Sequence, residues 1–363
     1  DVIIIGAGAA GLMSAIESGK RGRKVLLIDH AKKIGEKIRI SGGGRCNFTN
    51  INTHPSKFIS KNPKFVISAL KQYTQNDFIN LIKKHNINFH EKKLGQLFCD
   101  NSAQQIIDRL LLECKIANVT LKKEVIVNDV SKEDDQYILT AGRDKYLCKS
   151  LIIATGGLSV PKIGASKFGY DVAKKFNLDV VKPLPALVPL TFNEKILSMC
   201  KELSGLSLEA VVFFNKTFFQ EGMSFTHRGL SGPSILQISS YWKLGEDIKI
   251  NLSPKTDIFK LLENEKISNP KQDINNIISE ILPKRLAHII CKENNISGNI
   301  SELSNKLLKQ LSESINTWVI NPTGSEGYRT AEVTLGGVDT NEISSKTMMS
   351  IKNPGLFFIG EVV

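Results

Sequence analysis

The sequence predicts an α/β fold organised around a dinucleotide-binding β-α-β unit in its first thirty residues. Residues 2–5 form a short apolar run, typical of a buried parallel strand, and the run ends at the pattern Gly6-x-Gly8-x-x-Gly11. A helical pattern over 12–18 follows, and then a second apolar run over 25–28 that ends at Asp29. Strand, glycine turn, helix, strand and acid occur in the order that such a unit requires.

The glycine turn and the acid predict how a dinucleotide is held. Gly6 permits a tight turn, Gly8 lets backbone N–H groups approach a pyrophosphate, and Gly11 lets helix and strand pack closely. The helix N-terminus attracts the anion with its partial positive charge. Asp29, which lies 18 residues after Gly11, is expected to accept hydrogen bonds from the adenosine ribose. The alternative is a glycine-rich turn that binds nothing, and the glycines alone do not distinguish NAD from FAD.

Length and composition indicate an ordinary globular protein. The chain has 363 residues, enough for two or three domains, with 41% hydrophobic and 23% charged residues. No apolar run reaches the ~20 residues of a membrane span, and no signal peptide is visible. The six cysteines include no C-x-x-C pair, and His85 and His90 have no partner at metal-ligand spacing, so we expect no metal site. A reducing, cytoplasmic location fits best.

The net charge of +12 comes mostly from lysines dispersed among Asn, Ile and Ser. We favour a solvated, lysine-rich surface as its explanation. Affinity for RNA is the less favoured alternative, because no nucleic-acid-binding module is recognisable and aromatic residues make up only 7% of the chain.

A second glycine-rich stretch, SGGGRCN over 41–47, follows the β-α-β unit. Three consecutive glycines, Gly42 to Gly44, exclude regular helix or strand, and the backbone amides of such a loop can bind an anion. Arg45 adds a cation for a phosphate or a reduced flavin ring. Cys46 is as consistent with packing as with redox chemistry. The alternative for the whole stretch is a flexible surface loop.

The motifs GAGAAGL and SGGGRCNFTN resemble a bacterial flavoprotein family that includes aminoacetone oxidase-like and BaiN-type enzymes, usually described as NAD(P)/FAD-dependent oxidoreductases. The resemblance covers nearly the whole chain. It implies a glutathione reductase-like FAD-binding Rossmann fold with an inserted β-barrel and a small helical domain. It also implies that FAD is the cofactor. The residues we expect to contact FAD are Gly6, Gly8, Ala9, Ala10, Gly11, Asp29, His30, Lys37, Ser41, Gly42, Gly43, Gly44, Arg45, Cys46, Asn47, Val125, Ala154, Thr155, Gly156, Gly157, Gly360 and Glu361.

The later members of that set follow strands. Residues 151–154 read as a buried strand that ends in the turn Thr155-Gly156-Gly157, where ligands sit in open parallel sheets. Residues 356–359 read as a returning strand before Gly360-Glu361. The family resemblance implies that Val125 offers its backbone to the adenine. It also implies further residues after Val363, so we expect the sequence to be truncated there.

The prolines at 183, 185 and 189 predict a domain crossing. We therefore expect an FAD-binding domain over 1–187, an inserted substrate domain over 188–333 with a helical excursion near 272–318, and a return to the first domain over 334–363. Between the helical patterns of the first domain, VTLKKEVIVNDVSK and QYILTAG predict strands of a hairpin-like meander.

We expect an FAD-dependent oxidoreductase that transfers a hydride between the flavin and a small organic substrate. The chain has no second glycine fingerprint, so NAD(P)H, if used, binds transiently against the flavin. The candidate catalytic residues are Arg45, which favours the anionic reduced flavin, and His227, which precedes a Gly-Pro turn. A flavoprotein that acts on or binds tRNA and a flavin redox sensor without turnover are alternatives. The substrate and the oligomeric state are left open.

Overall fold

The computed structural model describes residues 1–363, and the chain divides into two compact units. Unit 1 comprises Asp1–Pro183 and Gly336–Val363, and unit 2 comprises Leu184–Leu335. Unit 2 is therefore inserted into the sequence of unit 1.

The elements are numbered in chain order. The strands are β1 (Val2–Ile5), β2 (Val25–Ile28), β3 (Asn47–Asn50), β4 (Phe89–Glu91), β5 (Gln96–Cys99), β6 (Thr120–Lys122), β7 (Asp129–Glu133), β8 (Gln136–Ala141), β9 (Asp144–Cys148), β10 (Ser150–Ile153), β11 (Val180–Ala186), β12 (Leu190–Thr191), β13 (Ser207–Phe214), β14 (Thr217–Thr226), β15 (Gly229–Ser231), β16 (Ile248–Asn251), β17 (Trp318–Ile320), β18 (Gly324–Ser325), β19 (Val333–Val338) and β20 (Leu356–Phe358). The helices are α1 (Ala9–Lys20), α2 (Glu36–Ile40), α3 (Phe65–Gln72), α4 (Gln75–Lys84), α5 (Gln104–Ile116), α6 (Phe168–Lys175), α7 (Glu194–Glu202), α8 (Pro233–Ser239), α9 (Ile258–Ser268), α10 (Ile274–Ser279), α11 (Lys284–Glu293) and α12 (Asn305–Asn316).

A five-stranded parallel sheet forms the centre of unit 1, in the order β20-β10-β1-β2-β6. Apart from Ser150 at the start of β10, its inner strands are apolar because both faces of the sheet are covered. Ile4 and Leu27 pack on one side with Leu12 of α1. Ile3 and Ile153 pack on the other side. The register aligns the carboxyl ends of β1, β2, β10 and β20, which places the turns after these strands at one edge.

Two small antiparallel sheets also belong to unit 1, and one of them corrects the predicted meander. β6 is not part of a hairpin: it runs parallel to β2 at the edge of the central sheet, with Leu27 opposite Leu121. The meander consists of β7, β8 and β9 alone. The other sheet has the order β3-β5-β4.

Glu113 of α5 is a buried carboxylate held by lysines from two other helices and by the imidazole of the residue after α4. Its side chain is 2% exposed. It accepts hydrogen bonds from Lys84 Nζ and His85 Nε2, both at 2.9 Å, and Lys20 Nζ lies 3.4 Å away. The hydrogen bond from Lys84 is the main cause that lowers the pKa of Glu113 below its ordinary value.

Unit 2 contains a seven-stranded sheet in the order β17-β16-β13-β14-β15-β12-β18, whose pairs are antiparallel. Helices α7 to α12 also belong to this unit. Asp257, Asp273 and Ser304 cap the first turns of α9, α10 and α12 with side-chain oxygens. Closure of this sheet into a barrel stays a prediction.

None of the helices has the length and apolarity needed to span a bilayer. The structure also contains no group of three or more His, Cys, Asp or Glu side chains that could hold a metal ion.

Candidate active site

A cavity of about 710 Å³ lies in unit 1, where the central strands end at their carboxyl side. Such an edge is the usual ligand-binding position in open α/β sheets. Most residues predicted to contact the cofactor line this cavity: Gly6, Gly8, Ala9, Ala10, Asp29, His30, Lys37, Ser41, Cys46, Asn47, Val125, Ala154, Thr155, Gly156, Gly157, Gly360 and Glu361. The predicted residues outside its lining are Gly11, Gly42, Gly43, Gly44, Arg45 and His227.

The glycine turn between β1 and α1 has three different local environments. Gly6 has a φ of +104°, and a Cβ there would lie 2.4 Å from the carbonyl oxygen of Ala154. A Cβ on Gly11 would lie 1.8 Å from the carbonyl oxygen of Gly6, so only glycine lets α1 approach β1 this closely. At Gly8 a Cβ would meet nothing within 4 Å, because the position faces open space. Gly8 therefore has the free volume that a pyrophosphate needs, and Gly11 has a packing role.

Asp29 is fixed by the backbone around it. Its Oδ2 accepts a hydrogen bond from the Ala7 N–H at 2.6 Å, and its Oδ1 accepts one from the Ala31 N–H at 2.7 Å. The side chain is 12% exposed and lines the cavity. These bonds set the orientation of the carboxylate, and carboxylate oxygens have further lone pairs for ribose hydroxyls. The N–H of Val125 donates to the Asp29 carbonyl at 3.1 Å, which leaves the Val125 carbonyl as the group to offer an adenine.

Lys37, Ser159 and Glu361 meet at the cavity from three distant parts of the sequence. Lys37 Nζ donates to Ser159 Oγ at 2.6 Å and forms an ion pair with Glu361. Ser159 Oγ also donates to Glu361 Oε1 at 3.2 Å. These contacts hold the ammonium group of Lys37 in the cavity, paired with the carboxylate of Glu361.

Ser159 precedes a strained residue. Val160 has a φ of +56°, a left-handed conformation that is a real outlier for a β-branched side chain. Pro161 follows directly. The backbone conformation that positions Ser159 is therefore one that the local sequence disfavours.

The SGGGRCN stretch contributes its two ends to the cavity. Ser41, Cys46 and Asn47 line it, whereas Gly42 to Gly44, with φ between +59° and +85°, and the exposed Arg45 do not. Cys46 is buried, and burial raises the pKa of its thiol, so the thiol is protonated at neutral pH.

His227 lies in the exposed turn between β14 and β15 of unit 2. Beside it, Arg228 Nη1 donates to Glu326 Oε2 at 3.3 Å. A catalytic role for His227 stays a prediction, as does one for Arg45.

Neither the apolar wall of the cavity nor Ser159 was predicted from the sequence. The wall includes Met13, Phe48 and Phe78, which come from three separate elements. Met13 and Phe78 lie in helices, where apolar residues are common, and Phe48 lies within SGGGRCNFTN but was not predicted as a contact. Ser159 had a weak signal, because it follows the turn Thr155-Gly156-Gly157 within four residues.

The residues of the cavity fit a long dinucleotide such as FAD. The carboxylate of Asp29 and the Lys37–Glu361 pair provide separate polar groups for it, and Gly8 leaves space for a backbone approach.

A parallel sheet, a glycine turn and a cavity at the strand ends define a Rossmann-type dinucleotide-binding protein. The family model described as "HI0933-like protein Rossmann domain" matches residues 1–363. The chain belongs to this family, whose members are FAD-dependent oxidoreductases, and this confirms the predicted flavoprotein class and Rossmann-type fold.

Curated relatives cover the whole chain. It is 48% identical to the "Ribosomal RNA dihydrouridine synthase" of Escherichia coli (strain K12) over 365 residues, which is 100% of this chain and 91% of the relative. It is 45% identical to the protein of the same name from Haemophilus influenzae, over 99% of this chain and 91% of the relative. The "3-dehydro-bile acid delta(4,6)-reductase" of Clostridium scindens is 23% identical over 99% of this chain and 92% of that protein.

Proposed function

We propose that this protein reduces uridine in ribosomal RNA to dihydrouridine, with FAD as the cofactor. The observation that carries this proposal is the 48% identity, over the full chain, with a relative named for that reaction. The predicted small organic substrate then becomes a base within an RNA.

The chemistry matches the flavin reaction expected for the family. The C5=C6 bond of uracil is conjugated to a carbonyl, so its reduction is an enone reduction that adds a hydride to C6 and a proton to C5. FAD, when bound, would supply this hydride chemistry from its reduced form. We infer that NAD(P)H re-reduces the flavin by transient binding.

The residues of the cavity orient the cofactor and exclude water. Asp29 orients the cofactor through its ribose, and Lys37 and Glu361 offer it an ammonium and a carboxylate that are already paired with each other. The apolar wall with Phe48 and Phe78 excludes water from the reacting groups. Cys46 is a protonated group on the same wall.

Arg45 and His227 remain proposed catalytic residues with separate tests. Replacing Arg45 with Ala should slow reduction of the flavin, because the guanidinium favours the anionic reduced ring. Unchanged reduction kinetics would remove Arg45 from the mechanism. Replacing His227 with Gln should slow product formation without slowing flavin reduction, if His227 supplies the proton.

The distribution of charge supports a nucleic-acid substrate. Unit 2 contains 16 basic and 16 acidic residues, which leaves 32 basic and 20 acidic residues in unit 1. The whole excess of +12 therefore belongs to the unit that contains the cavity. A polyanion such as RNA gains most of its non-specific affinity from such an excess.

A direct assay tests the proposal. Unmodified ribosomal RNA transcribed in vitro is incubated with the protein and NADH or NADPH, digested to nucleosides, and analysed by mass spectrometry for uridine that has gained two hydrogens. The Asp29→Ala variant, which should lose FAD, is the control. A protein whose flavin is reduced by NAD(P)H but that forms no dihydrouridine in ribosomal RNA refutes the proposal.

A second candidate is reduction of a conjugated double bond in a small hydrophobic molecule. The name of the Clostridium scindens relative, a reductase, favours it. Oxidation of the reduced flavin by a free enone, with no reaction on ribosomal RNA or tRNA, would support this candidate. The absence of turnover with any acceptor would favour a redox sensor.

A further inference from the structure

The stretch from residue 37 to residue 76 contains seven Lys and Arg residues and no Asp or Glu. It therefore holds more than half of the net charge of +12 in forty residues. One of these cations, Lys37, lines the cavity, and Arg39 donates to Glu36 at 2.7 Å. The other five, Arg45, Lys57, Lys61, Lys64 and Lys71, are exposed.

Residues 51–64 form the most exposed part of this stretch. Lys57, Lys61 and Lys64 take part in no salt bridge, so their charges are available to a ligand. Phe58 lies among them and is 42% exposed. Unpaired cations around an exposed aromatic ring suit a ligand that has both phosphates and flat bases.

The segment begins beside the cavity. Phe48 of β3 lines the cavity, and Ile51, three residues later, is within about 10 Å of it along an extended chain. The backbone is anchored there, because Ile51 N–H donates to the Gly95 carbonyl at 2.9 Å and Gln75 Nε2 donates to the Ile51 carbonyl at 3.0 Å. The start of the segment therefore lies next to the apolar wall of the cavity.

We propose that residues 51–64 form an RNA-docking segment, in which Lys57, Lys61 and Lys64 bind phosphates and Phe58 stacks on an unpaired base. This inference rests on the proposed function, since it specifies how the RNA substrate is held at the cavity. An enzyme that reacts with a base must take that base out of its stack, and contacts to neighbouring nucleotides hold the strand while this occurs.

An anionic membrane is the competing ligand for exposed lysines and apolar side chains. Binding in a membrane interface typically uses an amphipathic helix. The only regular element in residues 51–64 is a 3-10 turn of three residues, Pro55–Lys57. The segment therefore fits the irregular backbone of unpaired RNA better than a lipid surface.

Two variants and a matched control test the segment. The first variant combines Lys57→Glu, Lys61→Glu and Lys64→Glu, and the second is Phe58→Ala. The control, Lys255→Glu, Lys271→Glu and Lys306→Glu, makes the same change of charge at exposed lysines of unit 2. Each protein is titrated with a fluorescein-labelled oligouridylate at several salt concentrations, and its flavin spectrum and dihydrouridine formation are recorded.

The segment variant should bind oligouridylate roughly thirtyfold more weakly, and the slope of log affinity against log salt should fall by about 2, since about 0.7 is lost per single-strand phosphate contact. Phe58→Ala should weaken binding about tenfold and leave the slope unchanged. The control should bind within about twofold of the wild type. The flavin spectrum should be the same in all four proteins.

Three results overturn the inference: oligouridylate binding that the segment variant retains, an equal loss in the unit 2 control, or binding to phosphatidylserine vesicles in place of RNA. Dihydrouridine formation distinguishes this failure from that of the proposed function. If the segment variant modifies ribosomal RNA at the wild-type rate, the segment is wrong and the function stands. If the expected binding losses appear but the wild type forms no dihydrouridine, the function is wrong and the segment stands.

Discussion

The substitution Gly11→Ala tests whether the glycine turn has separate packing and ligand-binding positions. A Cβ at Gly11 would lie 1.8 Å from the Gly6 carbonyl oxygen, whereas ordinary contacts begin near 3.4 Å. Helix α1 would have to move away from β1 by about 1.6 Å. Overpacking of this kind lowers the free energy of unfolding by about 1–3 kcal/mol. We expect a loss near the upper end of this range for Gly11→Ala, because two backbone segments must separate.

Gly8→Ala is the matched control, since its methyl group enters open space. We expect the FAD-free Gly8→Ala protein to be as stable as the wild type within about 0.5 kcal/mol. Its affinity for FAD should nevertheless fall, because the methyl group occupies the space through which the backbone meets the pyrophosphate.

The assay is urea unfolding of the FAD-free proteins by far-UV circular dichroism, with hydrogen exchange of β1 and α1 as a local measurement. Tryptophan fluorescence is unsuitable, because Trp242 and Trp318 both lie in unit 2. A Gly11→Ala protein with wild-type stability and wild-type exchange in α1 would refute the packing argument. A Gly8→Ala protein that binds FAD normally would refute the ligand-binding one.

Three further predictions concern charges and thiols in unit 1. Lys37→Met should weaken FAD binding roughly tenfold, because the variant lacks the ammonium group that lies in the cavity beside Glu361. Lys32→Met, at an exposed position outside the cavity, should leave FAD binding unchanged, and equal affinities of the two variants in a fluorescence titration would contradict this prediction. Glu113→Gln should lower the free energy of unfolding by about 2 kcal/mol at pH 7. The pKa of Glu113 is lower in the folded protein than in the unfolded one, so the stabilisation by its carboxylate is complete above the unfolded pKa of about 4.3. This stabilisation is lost as the pH falls through the lower, folded pKa. In urea unfolding, the difference between the wild type and Glu113→Gln should therefore shrink in acid, and a constant difference would contradict the prediction. All six thiols are buried, and burial raises the pKa of each, to about 12 for Cys99. The thiols of the native protein should therefore react with a disulfide reagent without a fast phase. Rapid reaction of one thiol per protein molecule would show that a cysteine is accessible.

The Rossmann-type fold was predictable because its signals are local. The strand, the glycine turn, α1 and Asp29 lie within one short segment, and each has a steric or electrostatic reason that involves its neighbours. The turns after β10 and β20 followed from the same rule, that ligands bind where parallel strands end.

The partners of β6 and the Lys37–Ser159–Glu361 group depend on distant parts of the chain. β6 is a three-residue edge strand, so its side chains could not indicate whether it pairs in a hairpin or with β2. Ser159 lies 122 residues from Lys37, and Glu361 lies 324 residues from it. No spacing rule relates residues that far apart.

The charge of each unit could not be predicted from the sequence, because it depends on where the units begin and end. The composition gave the net charge and suggested dispersed lysines, but the balance of unit 2 and the excess of unit 1 appear only when the boundaries at 183/184 and 335/336 are known. A solvated surface was a reasonable expectation from composition, and the acid-free stretch over 37–76 makes it less suitable as the whole explanation.

The left-handed conformation of Val160 implies a trade-off between the stability of the fold and the geometry of the cavity. A β-branched residue in the left-handed backbone region destabilises the native state by about 1–3 kcal/mol. Glycine at position 160 would therefore give the more heat-stable protein. Glycine, however, would widen the conformational freedom of the chain beside Ser159 and loosen its bond to Lys37. A search for heat-resistant versions of this protein should therefore enrich changes at position 160, and those versions should hold their cofactor less firmly.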